Sequence, residues 1–172
     1  MRQLIIWFFV LATLGGCGFQ LRGSNTVLEE FETQRIHVDH TGAPGVTAQL
    51  RAALADSGTT TASNLKQSDY AIRLAGERVT RDVLSVSPQT GKVEEFQLTY
   101  VVLLTLQHVG GAVLLERVPI MLQRDFTFDQ DAVLGNFSEE EILRDELTRD
   151  AADQVMRRTA AAIRRDKQAP AP

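Results

Sequence analysis

Only one cysteine, Cys17, occurs in 172 residues, so no internal disulfide can staple the fold and the domain must bury a core of its own. Positive charge is not in excess either: 18 Lys and Arg stand against 22 Asp and Glu, a formal net charge of −4. With no nucleic-acid motif and no dense basic stripe, that balance argues against a nucleic-acid partner. The longest apolar run, Leu4 to Leu14, is well short of the roughly 20 residues a spanning helix needs. Catalytic signatures are missing too. There is no nucleophile elbow, phosphate loop or zinc-protease helix, and Gly110-Gly111 lacks the flanking glycines and lysine of a phosphate cradle. Neither an enzyme nor a cofactor is expected. His37, Asp39 and His40 suggest a metal site only briefly: strand alternation puts His37 and Asp39 on one face and His40 on the other, with no further ligands at hand. His108, beside the Gly-Gly turn, reads as a surface residue.

What is present begins with an address. Arg2 supplies a positive start, Leu4 to Leu14 an apolar run, and Gly15-Gly16 small residues before Cys17, the pattern of a secretory signal peptide over residues 1–16. Leu14-Gly15-Gly16-Cys17 resembles the bacterial lipobox, so Cys17 is the expected lipid-attachment site and the first residue of the exported chain. Each buried acyl CH₂ contributes about 0.8 kcal/mol, so one chain holds marginally and two or more hold stably. Gly18 stands where aspartate would resemble an inner-membrane retention signal, which favours the outer membrane, on its periplasmic side. Residues 17–33 are the expected lipidated N-terminus and tether, 34–166 the folded domain, and 167–172 a tail.

With 44% hydrophobic residues, the domain can bury a core. Arg35 to Val38 is a short strand candidate. Pro44 suits a first helical turn, and Val46, Leu50, Ala53 and Leu54 share one helical face, with Gly58 just past the end. The period then changes to two. Tyr70, Ile72 and Leu74 share a face, Val79 and Val83 fall on the opposite parity, and Gly76 between them is a candidate bulge. Residues 85–95 contain Pro88 and Gly91 and read as a hairpin loop. Phe96, Leu98, Tyr100, Val102, Leu104 and Leu106 alternate without a break. Gly110-Gly111 predicts a tight two-residue turn into a fourth strand carrying Val118, Ile120, Leu122, Phe126 and Phe128. Residues 129–137 read as a loop, and Ser138 with Glu141 as a capping box opening a helix over residues 139–165. Acids concentrate at its start and bases at its end, matching the helix dipole. The expected fold class is α+β: two helices on one face of a four-stranded, mainly antiparallel sheet.

An outer-membrane protein meets anionic lipid, whose phosphates are best matched by Arg and Lys. Lys92, Arg81, Arg78 and Arg124 are the candidates. Strand pairing is expected to bring Lys92 and Arg81 together at one end of the sheet, and charges at sheet edges also serve simply to prevent edge-to-edge pairing.

The stretch "CGFQLRG", residues 17–23, resembles the mature start of the LptE family of lipopolysaccharide-assembly lipoproteins. The strand-loop-strand over residues 70–105, "RDFTFD" at 124–129 and "EEILRDELTRDAADQVMRRTAAAIR" at 140–164 are similar to that family in order and spacing. The resemblance implies a two-helix, four-stranded domain, a stable complex with the outer-membrane β-barrel LptD in whose lumen it sits as a plug, and assistance in lipopolysaccharide assembly with direct lipid contact. The chain after residue 16 has an expected radius of gyration of about 15 Å, which only a very large barrel encloses. Two departures stand out: the 87–92 loop offers only Lys92 as a base, and Gln20 stands where the family often has His. The competing reading is a lipid-anchored periplasmic carrier, which would hold an apolar ligand in a cavity between sheet and helices.

Overall fold

A computed structural model describes residues 30–31, 34–129 and 133–168. The predicted signal peptide, Cys17 and most of the predicted tether lie outside the described residues.

The chain runs β1 (Arg35–Thr41), α1 (Pro44–Asp56), β2 (Thr60–Thr61), a 3₁₀ turn (Leu65–Gln67), β3 (Tyr70–Val86), β4 (Val93–His108), β5 (Val113–Thr127) and α2 (Val133–Gln168). Strand order across the sheet is β2-β1-β3-β4-β5. β1 pairs parallel with both β2 and β3, whereas β3, β4 and β5 form an antiparallel meander. The sheet is therefore five-stranded and mixed; the expected four-stranded, mainly antiparallel sheet is close to this but lacks β2 and the parallel pairing of β1. The parallel pairing comes from the α1 crossover, which carries the chain back to the end of the sheet where β1 began, so that β3 runs parallel to β1. β2, at two residues, is too short to show a period.

Both helices lie on one face. Val46, Leu50 and Leu54 of α1 and Leu147, Ala151, Val155 and Ile163 of α2 join Ile36, Ile72, Leu74, Leu98, Tyr100, Leu104, Leu106 and Ile120 of the sheet in one core, and none of these has accessible surface. At roughly 1.5–3 kcal/mol for each large apolar side chain removed from water, this cluster is the main source of stability. Two bulges keep the strands aimed at it. Gly76, at φ 65°, sits where the β3–β4 register slips between Ala75 and Arg78, so Val79 faces Tyr100 on the core side despite its changed parity. The register of β4–β5 slips in the same way past Leu106↔Leu115, where Arg117 takes φ 48° and its N–H donates to Thr105 Oγ1 at 3.2 Å.

Several expected boundaries shift. The β3–β4 strands continue to Val86 and from Val93, leaving a loop of residues 87–92 closed by Ser87 N–H to Lys92 O at 2.7 Å. Four residues, 109–112, connect β4 to β5 instead of two. α2 begins at Val133, six residues before the expected start, so Ser138 and Glu141 lie inside the helix and its first turn holds no acid. Buried Asn136 closes the connection instead, accepting Asp129 N–H at 3.2 Å and donating its amide to the Asp129 carbonyl. Lys167 and Gln168, expected in the tail, are helical. At the other terminus Phe31, expected in the tether, is fully buried in the core, and Glu30 pairs with Lys167 at 2.6 Å and Arg164 at 3.5 Å.

Candidate functional site

β3 and β4 form a long hairpin whose outer end carries the loop of residues 87–92. α2 starts near this end, where Glu140 meets Arg81, and finishes at the other, where Asp166 accepts the Tyr70 hydroxyl at 2.9 Å. The hairpin end therefore gathers the start of α2 with the strands that carry the predicted cations.

Arg81 and Arg124 lie in one row. Both flank Leu98, Arg81 from β3 and Arg124 from β5, on the helix-covered side of the sheet. Each meets a carboxylate of α2. Arg81 Nη1 is 2.8 Å from Glu140 Oε2 and its guanidinium carbon lies 4.7 Å from the Phe96 ring centroid, an ion pair reinforced by a cation–π contact. Arg124 Nη2 bonds Asp150 Oδ2, with Nη1 donating to the Gln123 carbonyl at 3.1 Å. Arg124 thus fastens α2 to the edge strand, and Arg158 does the same farther along by donating to the Pro119 carbonyl at 3.1 Å.

Glu140 holds a second cation that the sequence reading passed over. Arg144, one helical turn on, places Nε at 3.0 Å and Nη2 at 2.6 Å from Glu140 Oε1. Burial alone would push the Glu140 carboxyl up. The hydrogen bonds from Arg144 and then Arg81 outweigh it and hold the group below the ordinary carboxylate range. A Glu four residues ahead of an Arg is the favourable helical orientation, and that spacing was the signal available. Arg81, Phe137, Glu140, Glu141 and Arg144 line an open cleft of about 470 Å³. Phe137 is 63% exposed, and Val83, Leu84 and Val86 of the hairpin are each about half exposed. Phe96 packs on Phe126 and Phe128 beneath, with centroids 5.8 and 5.2 Å away.

Arg78 and Lys92 are not part of this cluster. Arg78 pairs across from Val101, which puts it on the face opposite to Arg81, as strand alternation over three residues requires. Lys92 lies in the loop, and Val86, the last residue of β3, is already five residues beyond Arg81, about 16 Å at strand rise. Lys92 and Arg81 share an end of the sheet without meeting.

The sheet face away from α1 and α2 is mostly polar. Gln97 Nε2 donates to Asp125 at 2.9 Å, Gln123 Nε2 to Gln97 at 3.0 Å, and Arg73 pairs with Asp39 at 3.6 Å. Val101 and Leu103 lie among these residues, flanked in register by Met121 and Pro119. At the β1 edge, His37 Nδ1 stands 3.0 Å from the Ala62 carbonyl, and the His40 N–H donates to Asp39 at 2.8 Å. His108, expected at the surface, is half-buried edge-on against Tyr70 at 5.0 Å.

The LptE family model, described as lipopolysaccharide-assembly, matches residues 33–159. The chain is 30% identical over 157 residues to the LPS-assembly lipoprotein LptE of Yersinia enterocolitica, covering 91% of this chain and 73% of that one. It is 28% identical over 156 residues to the LPS-assembly lipoprotein LptE of Pectobacterium atrosepticum, covering 90% and 82%. Among solved structures, lipoprotein B from Nitrosomonas europaea superimposes with a TM-score of 0.70 at 26% identity, covering 84% of this chain and 91% of that one. The rare lipoprotein B from Shewanella oneidensis has the same fold, with a TM-score of 0.68 at 22% identity over 77% and 98%.

Proposed function

This chain belongs to the LptE family of lipopolysaccharide-assembly lipoproteins, and from that premise we propose that it is anchored in the outer membrane through Cys17, facing the periplasm, and plugs the LptD β-barrel. In that complex it assists assembly and insertion of lipopolysaccharide. The observation that carries this reading is the extent of the family match, residues 33–159, which takes in both sheet faces, α1 and most of α2.

A second observation favours a plug over a lipid carrier. Between sheet and helices the side chains are packed without exposed surface, from Phe31 and Ile36 through Tyr100 to Leu147, whereas a carrier needs an apolar cavity there. Binding is then work for the outer surface. The polar sheet face around Gln97, Gln123 and Asp125 suits a wet, hydrogen-bonding barrel lumen, and the Arg81–Arg144 cleft suits a lipid phosphate. Arg78 and Lys92 stand outside that cleft as exposed cations, and Arg124 serves α2.

Mild-detergent purification of the lipidated protein from its native envelope tests the partnership. A large β-barrel is expected to co-purify in stoichiometric amount; its absence would sink the proposal.

A further inference from the structure

Arg81 and Arg144 converge on one carboxylate from two different elements. Arg81 donates from β3 to Glu140 Oε2, while the Nε and Nη2 fork of Arg144 closes on Oε1. Two guanidinium groups around one anion are the arrangement used for phosphate, which offers more oxygens and more negative charge than a carboxylate. Here the anion belongs to the chain itself.

The pairs are open on the arginine side. Arg81 is 42% and Arg144 39% exposed at the side chain, while Glu140 between them is 13% exposed, so water reaches the two guanidinium groups and limits what the pairs contribute to net stability. The cleft opens to solvent over Phe137, and the exposed Val83, Leu84 and Val86 add apolar surface on the hairpin of Arg81. Glu141 also lines the cleft, so with Glu140 in place two cations face two carboxylates and the cleft has no net attraction for an anion. With Glu140 turned out, the cations prevail.

We propose that Glu140 is a built-in counter-anion occupying a phosphate site formed by Arg81 and Arg144, and that the phosphate group of an amphiphilic ligand binds there by displacing it. Phe137 and the hairpin residues would meet the ligand's apolar part. This rests on the lipopolysaccharide-contact reading and adds its regulation: affinity is set low by Glu140, so that a ligand in transit is released again. Only a ligand that binds better than the internal carboxylate is retained, a specificity by competition.

The test uses the full lipidated chain in detergent, titrated with lipopolysaccharide, with enzymatically dephosphorylated lipopolysaccharide, and with inorganic phosphate. Glu140→Gln keeps the size and hydrogen-bonding shape of the side chain and removes its charge. It is expected to tighten binding of phosphorylated lipopolysaccharide by about 3- to 10-fold, the range set by two ion pairs open to solvent on the arginine side, and to leave the dephosphorylated form unchanged. Arg81→Gln and Arg144→Gln are expected to weaken the phosphorylated form, and in an Arg81→Gln/Arg144→Gln background Glu140→Gln should have no effect. In the wild-type chain, the Arg144 Nε–Hε NMR signal should shift on addition of phosphorylated lipopolysaccharide, a readout that needs no variant. Competition by millimolar inorganic phosphate would identify free phosphate as a ligand, and its failure would identify the lipid headgroup; either outcome supports the site. Wild-type binding that ignores phosphorylation would overturn the lipid-contact reading together with this one. A phosphate preference that needs Arg81, combined with unchanged or weaker binding by Glu140→Gln, would overturn the counter-anion alone.

Discussion

Tyr100, buried in β4, donates its hydroxyl to Glu77 Oε1 of β3 at 2.8 Å. The same carboxylate accepts the backbone N–H groups of Gly45 at 2.9 Å and Val46 at 3.1 Å. The start of α1 is therefore capped from the sheet, since its own N-cap residue, Ala43, has no side chain to do so. Burial, and then the bond to Glu77, push the Tyr100 pKa well up, so the hydroxyl remains a donor throughout the physiological range.

Removing this cap should be costly. Glu77→Ala is expected to lower stability by about 1–3 kcal/mol, because it leaves the buried Tyr100 hydroxyl and two helix N–H groups without their acceptor. Gly45→Ala should also destabilise, although alanine in place of an exposed helical glycine ordinarily gains close to 1 kcal/mol. A Cβ at Gly45 would stand 2.8 Å from Glu77 Oε1, an atom pinned by its hydrogen bonds. In the Glu77→Ala background the sign should reverse, and urea denaturation followed by far-UV circular dichroism reads all four proteins.

At the opposite end of the sheet, stability should depend on pH through Asp69. Its carboxyl is held below the ordinary value by the Arg35 side chain, at 3.0 Å, and by the Arg35 backbone N–H, at 2.9 Å. A carboxyl whose pKa is lower in the folded state contributes fully above its unfolded value and loses that contribution as pH falls through the folded one. Wild type should therefore exceed Asp69→Asn in urea midpoint near neutral pH, and the gap should narrow as pH falls below the ordinary carboxyl range. A gap that is constant with pH would assign the effect to something other than this titration.

Cys17 lies outside the described residues, and its role is checked by chemistry. Incorporation of labelled palmitate is expected in the wild-type chain and not in Cys17→Ser. The variant should also move from the membrane to the soluble fraction of the envelope, because the acyl chains supply the anchoring free energy.

Most of the fold is legible locally. The alternation from Phe96 to Leu106 names a core face that the structure buries from Leu98 to Leu106, and the i, i+4 series through Leu147, Ala151 and Val155 names the buried side of α2. Gly76 marks its bulge because a positive φ is open to glycine at little cost. The parallel pairing of β1 with β3 carries no such mark: it depends on where α1 delivers the chain. Cations were harder to place than strands. Residue type names Arg81, Arg78, Arg124 and Lys92, but strand alternation puts Arg78 and Arg81 on opposite faces, and strand length separates Lys92 from both.

The sequence by itself determined the core faces, the existence of both helices though not where α2 begins, the lone cysteine behind an apolar run, and the family to which the chain belongs. The periodic features follow from side-chain spacing, which needs no knowledge of neighbours, and the family from likeness to its other members. Tertiary structure alone decided which charges meet, because Arg81 and Glu140 are 59 residues apart and Glu77 reaches the start of α1 from 31 residues away. Such partners are set by sheet register and by the crossing of α2. That is why Glu140 and Arg144, unremarkable on one helix face, become a candidate site once β3 brings Arg81 against them.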